Sequence, residues 1–277
     1  MIRISLLVFT AMCLIVTGDT AGKVMTQGGV APSFIAWSRF AIAAAVLLPF
    51  SGLRWAELRS LLDWRVLLRA GLIAAGISCI LTALRTEPIA NVFGAFFIGP
   101  VVAYILSVLL LGEQVSKVRS ILLALGFAGV MLVVRPGFGA GPGMAMALLA
   151  GCFYGGYLVA TRWLAGEFRP RFLLISQLIV GAVVLMPMGV VALPVEVDPR
   201  LVGLIGLSAL ASAAGNYLLV TVSRTTPATA IVPLVYTQLI AATLAGVMVF
   251  GIWPDPLALI GLGVILLSGL ASLWLSR

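Results

Sequence analysis

The feature that most constrains this chain is a set of ten apolar windows, each close to the ~20 residues a helix needs to cross the hydrocarbon core of a bilayer. In the first half they fall at about 4–22, 31–50, 66–84, 89–111 and 118–136. Displacing them by the 139 positions that separate Cys13 from Cys152 predicts 143–161, 170–189, 205–223, 228–250 and 257–275, and an apolar run stands at each. Few single residues repeat: Arg85-Thr86-Glu87-Pro88 against Arg224-Thr225-Thr226-Pro227, Gly112 against Gly251, and Cys13 against Cys152. The duplication therefore rests on coincident windows and the R-T-x-P junction. Five crossings per copy is an odd number, so the second copy must sit upside down relative to the first. The expected fold is an all-α integral membrane protein of ten transmembrane helices. They form two inverted five-helix repeats, 1–138 and 139–277, around a central cavity, with the join in the Gly/Pro-rich stretch from Pro136 to Gly143. Secondary transporters built from inverted repeats bind their substrates near the bilayer midplane, where the halves meet.

Composition narrows the function classes. With 62% hydrophobic and 9% charged residues and a mean hydropathy of +1.21, the chain has too little polar surface for a soluble globule. The net charge of +8 reads as topology rather than nucleic-acid binding, because the basic residues lie in short gaps between apolar runs. With the N-terminus inside, that side carries Arg3, Arg54, Arg59, Arg65, Arg69, Lys117, Arg119, Arg162, Arg169, Arg171, Arg224 and Arg277, 12 of the 17 Lys and Arg; Lys23, Arg85, Arg135 and Arg200 lie opposite. The expected location is a bacterial inner membrane, multi-pass, with both termini cytoplasmic. The apolar run after Met1-Ile2-Arg3 is read as the first span, since Thr17-Gly18-Asp19 is a poor cleavage site. Cys13, Cys79 and Cys152 fall inside apolar windows without C-x-x-C spacing, and there is no histidine. No disulfide framework, metal site or cofactor is expected. An enzyme is not expected either, because no nucleophile, base and paired carboxylates cluster within the spans.

Several residues carry a family resemblance. A glycine and then a basic residue close the first span (Gly18 to Lys23), Arg39 lies in the second, and the fourth ends Pro100-Val101-Val102-Ala103-Tyr104 through Leu110-Leu111-Gly112-Glu113. Pro227 opens the ninth, with Pro233 inside it. In these marks the chain resembles the EamA-type carriers of the drug/metabolite transporter superfamily. The resemblance implies a small-molecule carrier, a monomer or homodimer, exporting neutral or hydrophobic amino acids by alternating access with helices four and nine mobile. The alternatives are an importer of another metabolite, such as S-adenosylmethionine or a nucleoside, and a non-transporting membrane scaffold. Ile252 stands where the second copy would repeat Glu113, so any role of that glutamate need not be duplicated.

Polar residues within spans face other helices or a watery cavity, because hydrocarbon leaves them unsatisfied. Ser78, Thr82 and Arg85 form one stripe in the third span, Tyr154, Tyr157 and Thr161 one in the sixth. Ser212 and Asn216 share a face in the eighth, with Tyr217 adjacent; Tyr236, Thr237 and Gln238 follow Pro233 in the ninth, and Asn91 lies in the fourth. Each is a candidate for the cavity or for interhelical bonding. Asp19, Lys23 and Arg39 are expected near the outer end of helices one and two, as a structural ion pair between Asp19 and Arg39, an outer gate or a carboxylate anchor. Glu113 and Lys117 read as a solvated i, i+4 surface pair. Gly151 and Gly155 form a small-xxx-small pair, and Gly126, Gly129, Gly261, Gly263 and Gly269 are read as packing positions. As the one strong intramembrane carboxylate, Asp19 gives proton coupling little support, leaving facilitated export or exchange open.

Overall fold

The computed structural model describes residues 2–87, 89–134 and 141–274. Arg135, Arg277, linker residues 136–140 and the side chains of Asn91 and Gly269 lie outside that description. In the first half the helices are α1 Ile2–Gln27, α2 Pro32–Ser51, the short α3 Trp55–Leu58, α4 Trp64–Thr86, α5 Ile89–Phe96, α6 Ile98–Leu111 and α7 Lys117–Val134. In the second they are α8 Pro142–Leu164, α9 Pro170–Val191, α10 Pro199–Ser223, α11 Ala228–Val235, α12 Gln238–Phe250 and α13 Pro256–Trp274.

The boundaries follow local chemistry. Proline opens α2, α8, α9, α10 and α13, where its missing N–H has no helical partner to lose. Asp63 caps α4 through Arg65 N (2.9 Å) and Asp198 caps α10 through Leu201 N (2.6 Å). Gly112 and Gly251, at φ 64° and 66°, end α6 and α12 in the left-handed region.

Among the described residues, eight segments are long and apolar enough to cross a bilayer. Two of them, Val92–Leu111 and Ala228–Phe250, are each two helices in line. The windows 89–111 and 228–250 predict single helices, and the structure divides both. Pro100 has no N–H to return to the Phe96 carbonyl, and α5 stops there. In the second, tight i→i+3 bonds from Thr237 N to Leu234 O and from Leu239 N to Tyr236 O interrupt the ladder. The fifth and tenth windows hold α7 and α13, helical over 18 and 19 residues.

The most extensive packing runs between α1 and α10, α4 and α8, α7 and α13, and α2 and α9. Glycines set the closest approaches. A Cβ on Gly151 would strike the Phe96 carbonyl, and one on Gly155 would strike that of Gly99, so α8 lies directly against the α5/α6 break. Gly215 meets the Ala11 carbonyl of α1, and Gly129 of α7 meets that of Gly261 on α13. Gly263, read as a packing position, faces open space. Outward, Leu109, Val183, Met188, Met248 and Leu267 are exposed, an apolar belt suited to lipid rather than water. On the face carrying the basic loops, Glu57 of α3 binds Arg169 (2.6 Å) and Arg65 binds Glu167 (2.9 Å), tying the α2–α4 connection to the α8–α9 connection.

Candidate functional site: a small cavity between two polar clusters

Near the middle of the bundle a cavity of about 30 Å³ is lined by residues including Asp19, Arg39, Ile73, Gly76, Ile77, Phe96, Tyr154, Ser212, Asn216 and Gln238. That is room for roughly one water molecule. One wall is aromatic. The Phe96 and Tyr154 rings lie 5.2 Å apart, Tyr154 stacks on Tyr157 at 6.0 Å, and Phe97 meets Phe96 edge-on at 5.9 Å. Phe97 and Tyr236, at the two helix breaks, meet at 5.6 Å. Two cavity groups are buried without a partner, the Tyr154 hydroxyl and the Gln238 Oε1.

A polar cluster borders the cavity toward the α1–α2 turn. Arg39, 3% exposed, donates to Asp19 Oδ1 (2.8 Å), to the Gly18 carbonyl (2.8 Å) and to Ser208 Oγ (3.1 Å). Ser208 in turn donates to the same Gly18 carbonyl (2.9 Å). The carboxylate balances the guanidinium, and the bonds join α1 and α2 to α10.

A second cluster borders it toward the basic loops. Arg69 is wholly buried and donates to Thr161 Oγ1 (2.8 Å), the Leu173 carbonyl (2.8 Å) and Tyr157 Oη (3.2 Å). Its guanidinium also lies 4.9 Å from the Tyr157 ring centre. Tyr157 shares its proton between Gln177 Oε1 (3.1 Å) and Asn216 Oδ1 (3.0 Å). Here hydroxyls, a carbonyl and a ring face hold the charge in place of a carboxylate, and α4 is joined through α8 and α9 to α10.

The sequence candidates divide accordingly. Tyr154, Ser212, Asn216 and Gln238 line the cavity with Asp19 and Arg39, and Tyr157 stands directly behind them. Ser78 and Thr82 do not line it: their hydroxyls bond back to the Ala74 and Ser78 carbonyls, and Thr82 and Arg85 are exposed. Helix α4 presents Ile73, Ile77 and Ile80 to the cavity in their place. Tyr217 is half-buried and off the cavity, while Tyr236 is fully buried against Phe97. Lys23 pairs with neither Asp19 nor a substrate space; its ammonium lies 5.8 Å from the Phe250 ring.

Two readings are corrected. Arg69 counted as a loop charge, yet it lies inside α4 and wholly buried. Its place within the window 66–84 was the available signal, as was Gln177 well inside 170–189. Glu113 and Lys117 form no surface pair, because Gly112 turns the chain out of α6 and removes the helical i, i+4 geometry. The Glu113 carboxylate accepts from the backbone N–H groups of Ala228 and Thr229 (both 2.9 Å), the first turn of α11, and lies 3.5 Å from Arg162.

An all-helical, lipid-facing bundle whose interrupted helices meet at an aromatic and polar cavity is a multi-pass membrane transporter in its design. The sequence profile of the EamA-like transporter family matches twice, over residues 2–135 and again over 141–274. The chain belongs to that family, within the drug/metabolite transporter superfamily. It is 26% identical over 237 residues to a riboflavin transporter of Rhizobium johnstonii (strain DSM 114642 / LMG 32736 / 3841), covering 85% of this chain and 78% of that one. A solved crystal structure superposes with a TM-score of 0.78 at 21% identity, covering 99% and 98% of the two chains; that likeness concerns the fold.

Proposed function

We propose that the protein is a secondary carrier that moves a small metabolite bearing a flat ring, by alternating access between two inverted five-helix halves, 1–138 and 139–277. The observation that carries the substrate reading is the Phe96–Tyr154 wall, backed by Tyr157, beside the unpaired Tyr154 and Gln238 groups. A ring stacks on such a wall, and a few fixed polar groups orient it. The relative named as a riboflavin transporter supports the same chemistry.

The reciprocal packing of α1 on α10 and α8 on α4 supports the inverted repeat, as do the glycine caps at 112 and 251. In this reading the Asp19–Arg39–Ser208 cluster closes the outer face, with Lys23 beside it, and the Arg69–Tyr157–Thr161 cluster closes the inner one. Each ties the first half to the second, so each must part when its face opens. Both termini are cytoplasmic and the membrane is the bacterial inner one, with Arg54, Arg59, Arg65 and Arg169 on the retained side.

A second reading, export of neutral or hydrophobic amino acids, is favoured by the Asp19–Arg39 pair at the cavity. Its opposite charges complement an ammonium and a carboxylate. Counterflow in proteoliposomes decides between the two. Purified protein loaded with riboflavin, or with leucine or phenylalanine, is offered the labelled compound outside. Flux of the flavin and none of leucine supports the flat-ring reading; leucine flux alone replaces it with the amino-acid one. Flux of no ring compound or amino acid above empty liposomes counts against both.

A further inference from the structure

Resting on the flat-ring reading, we propose that Gln238, with Tyr154, selects rings whose edge carries an N–H donor, the imide or amide edge of flavin-, pterin- and nucleobase-type heterocycles. Gln238 is the first residue of α12, immediately after the helix break, and its side chain lines the cavity. It is 1% exposed, and its Oε1 meets no donor. A buried amide oxygen left unpaired is destabilising, so a native chain that keeps one at a cavity wall has a use for it. The oxygen is an acceptor, and the group that completes it must bring a donor.

Of the other polar side chains of the cavity, Asn216, Arg39 and Asp19 hold partners. Asn216 accepts from Tyr157 through Oδ1 and donates through Nδ2 to the Ser212 carbonyl (2.8 Å). Arg39 and Asp19 satisfy each other and the Gly18 carbonyl. The Tyr154 hydroxyl, 5% exposed and unpaired, is left to serve the same ligand as Gln238. Its ring, 5.2 Å from that of Phe96, supplies the stacking face. A ligand that stacks there completes both orphans by pointing an N–H at Gln238 Oε1 and a carbonyl of the same edge at the Tyr154 hydroxyl.

The first half cannot offer a matching group. Displaced by the repeat, position 238 falls on Gly99, where any side chain would strike the Gly151 carbonyl. The Gln238 amide therefore has no counterpart in the first half, and it reads one edge of one ring.

The test uses the full chain in lipid nanodiscs, with riboflavin and its N3-methyl derivative as probes. The two share the stacking ring but differ in the imide N–H. Binding is read by quenching of flavin fluorescence. The unaltered protein is expected to bind the methylated ring about ten- to hundredfold more weakly, the consequence of facing a buried acceptor with a methyl group. In Gln238→Met the two rings are expected to bind alike, and Tyr154→Phe weakens both. Equal binding of the two rings by the unaltered protein overturns this proposal alone and leaves the flat-ring reading standing. Discrimination that persists in Gln238→Met also overturns it. Binding of neither ring overturns both.

Discussion

The Asp19–Arg39 pair makes a quantitative prediction, because it is buried, close and joins α1 to α2, with Ser208 adding α10. Replacing Asp19 by Leu leaves the guanidinium with the Gly18 carbonyl and Ser208 Oγ but no counter-charge. Replacing Arg39 by Met leaves a buried carboxylate without its guanidinium. Breaking a buried pair from one side costs about 3–5 kcal/mol, whereas replacing both partners by apolar groups of similar volume is often neutral. At about 2–4 °C per kcal/mol for a chain somewhat shorter than this one, each single variant should melt about 6–20 °C lower. The double variant Asp19→Leu/Arg39→Met should recover most of that loss. The assay is thermal unfolding in nanodiscs, arranged as a double-mutant cycle. Losses that simply add in the double variant would refute the reasoning, since the two groups would then act separately.

Three further outcomes follow from the packing and the loops. Gly151→Leu drives a side chain into the Phe96 carbonyl and should lower the yield of folded protein sharply, by more than about 3 kcal/mol, whereas Gly263→Ala should be neutral or stabilising by up to about 1 kcal/mol; expression and melting of the two variants check this. Glu113→Gln removes the charge facing the first turn of α11 and Arg162 and should cost about 1–2 kcal/mol, read as a lower melting temperature that added salt partly masks in the parent. The two hydrogen bonds from Arg169 hold the Glu57 carboxyl below its ordinary value. A depressed folded value makes the contribution complete above about pH 4.3, where the unfolded glutamate is already charged, and loses it as pH falls through the lower folded value. Melting of the parent against Glu57→Gln should differ at pH 7 and converge in strong acid.

The all-helical, membrane-crossing character was legible because hydrocarbon imposes it: length and apolarity fix a span whatever its neighbours are. The helix breaks were less so. Pro100 and Pro233 were visible, but nothing local distinguishes a kink from the separate α5/α6 and α11/α12 pairs; the first of these lies against the glycines of α8, which come from a distant segment. Of the cavity residues, Tyr154, Asn216 and Gln238 could be read because a large polar group in lipid lacks a local partner. Ser78 and Thr82 misled for the converse reason, since a helix carbonyl satisfies a hydroxyl. Arg69 lies within five residues of the end of its helix, and position alone assigns such a charge to the loop; its partners Thr161, Tyr157 and Leu173 come from distant segments. Glu113 illustrates the same limit, because its partners are the backbone of α11, more than a hundred residues away.

That glutamate also bears on direction. Arg162 and Lys23 occupy equivalent positions in the two copies, but Arg162 has Glu113 beside it, bound to the first turn of α11. Lys23 has the Phe250 ring, and Ile252 stands where its carboxylate would be. In the alternating-access reading proposed above, the two faces are fastened with unequal strength, and each kcal/mol between them weights the resting population about fivefold toward the better-fastened face. Such a carrier waits with one side shut. Its empty return step then limits net transport, while loaded exchange bypasses it.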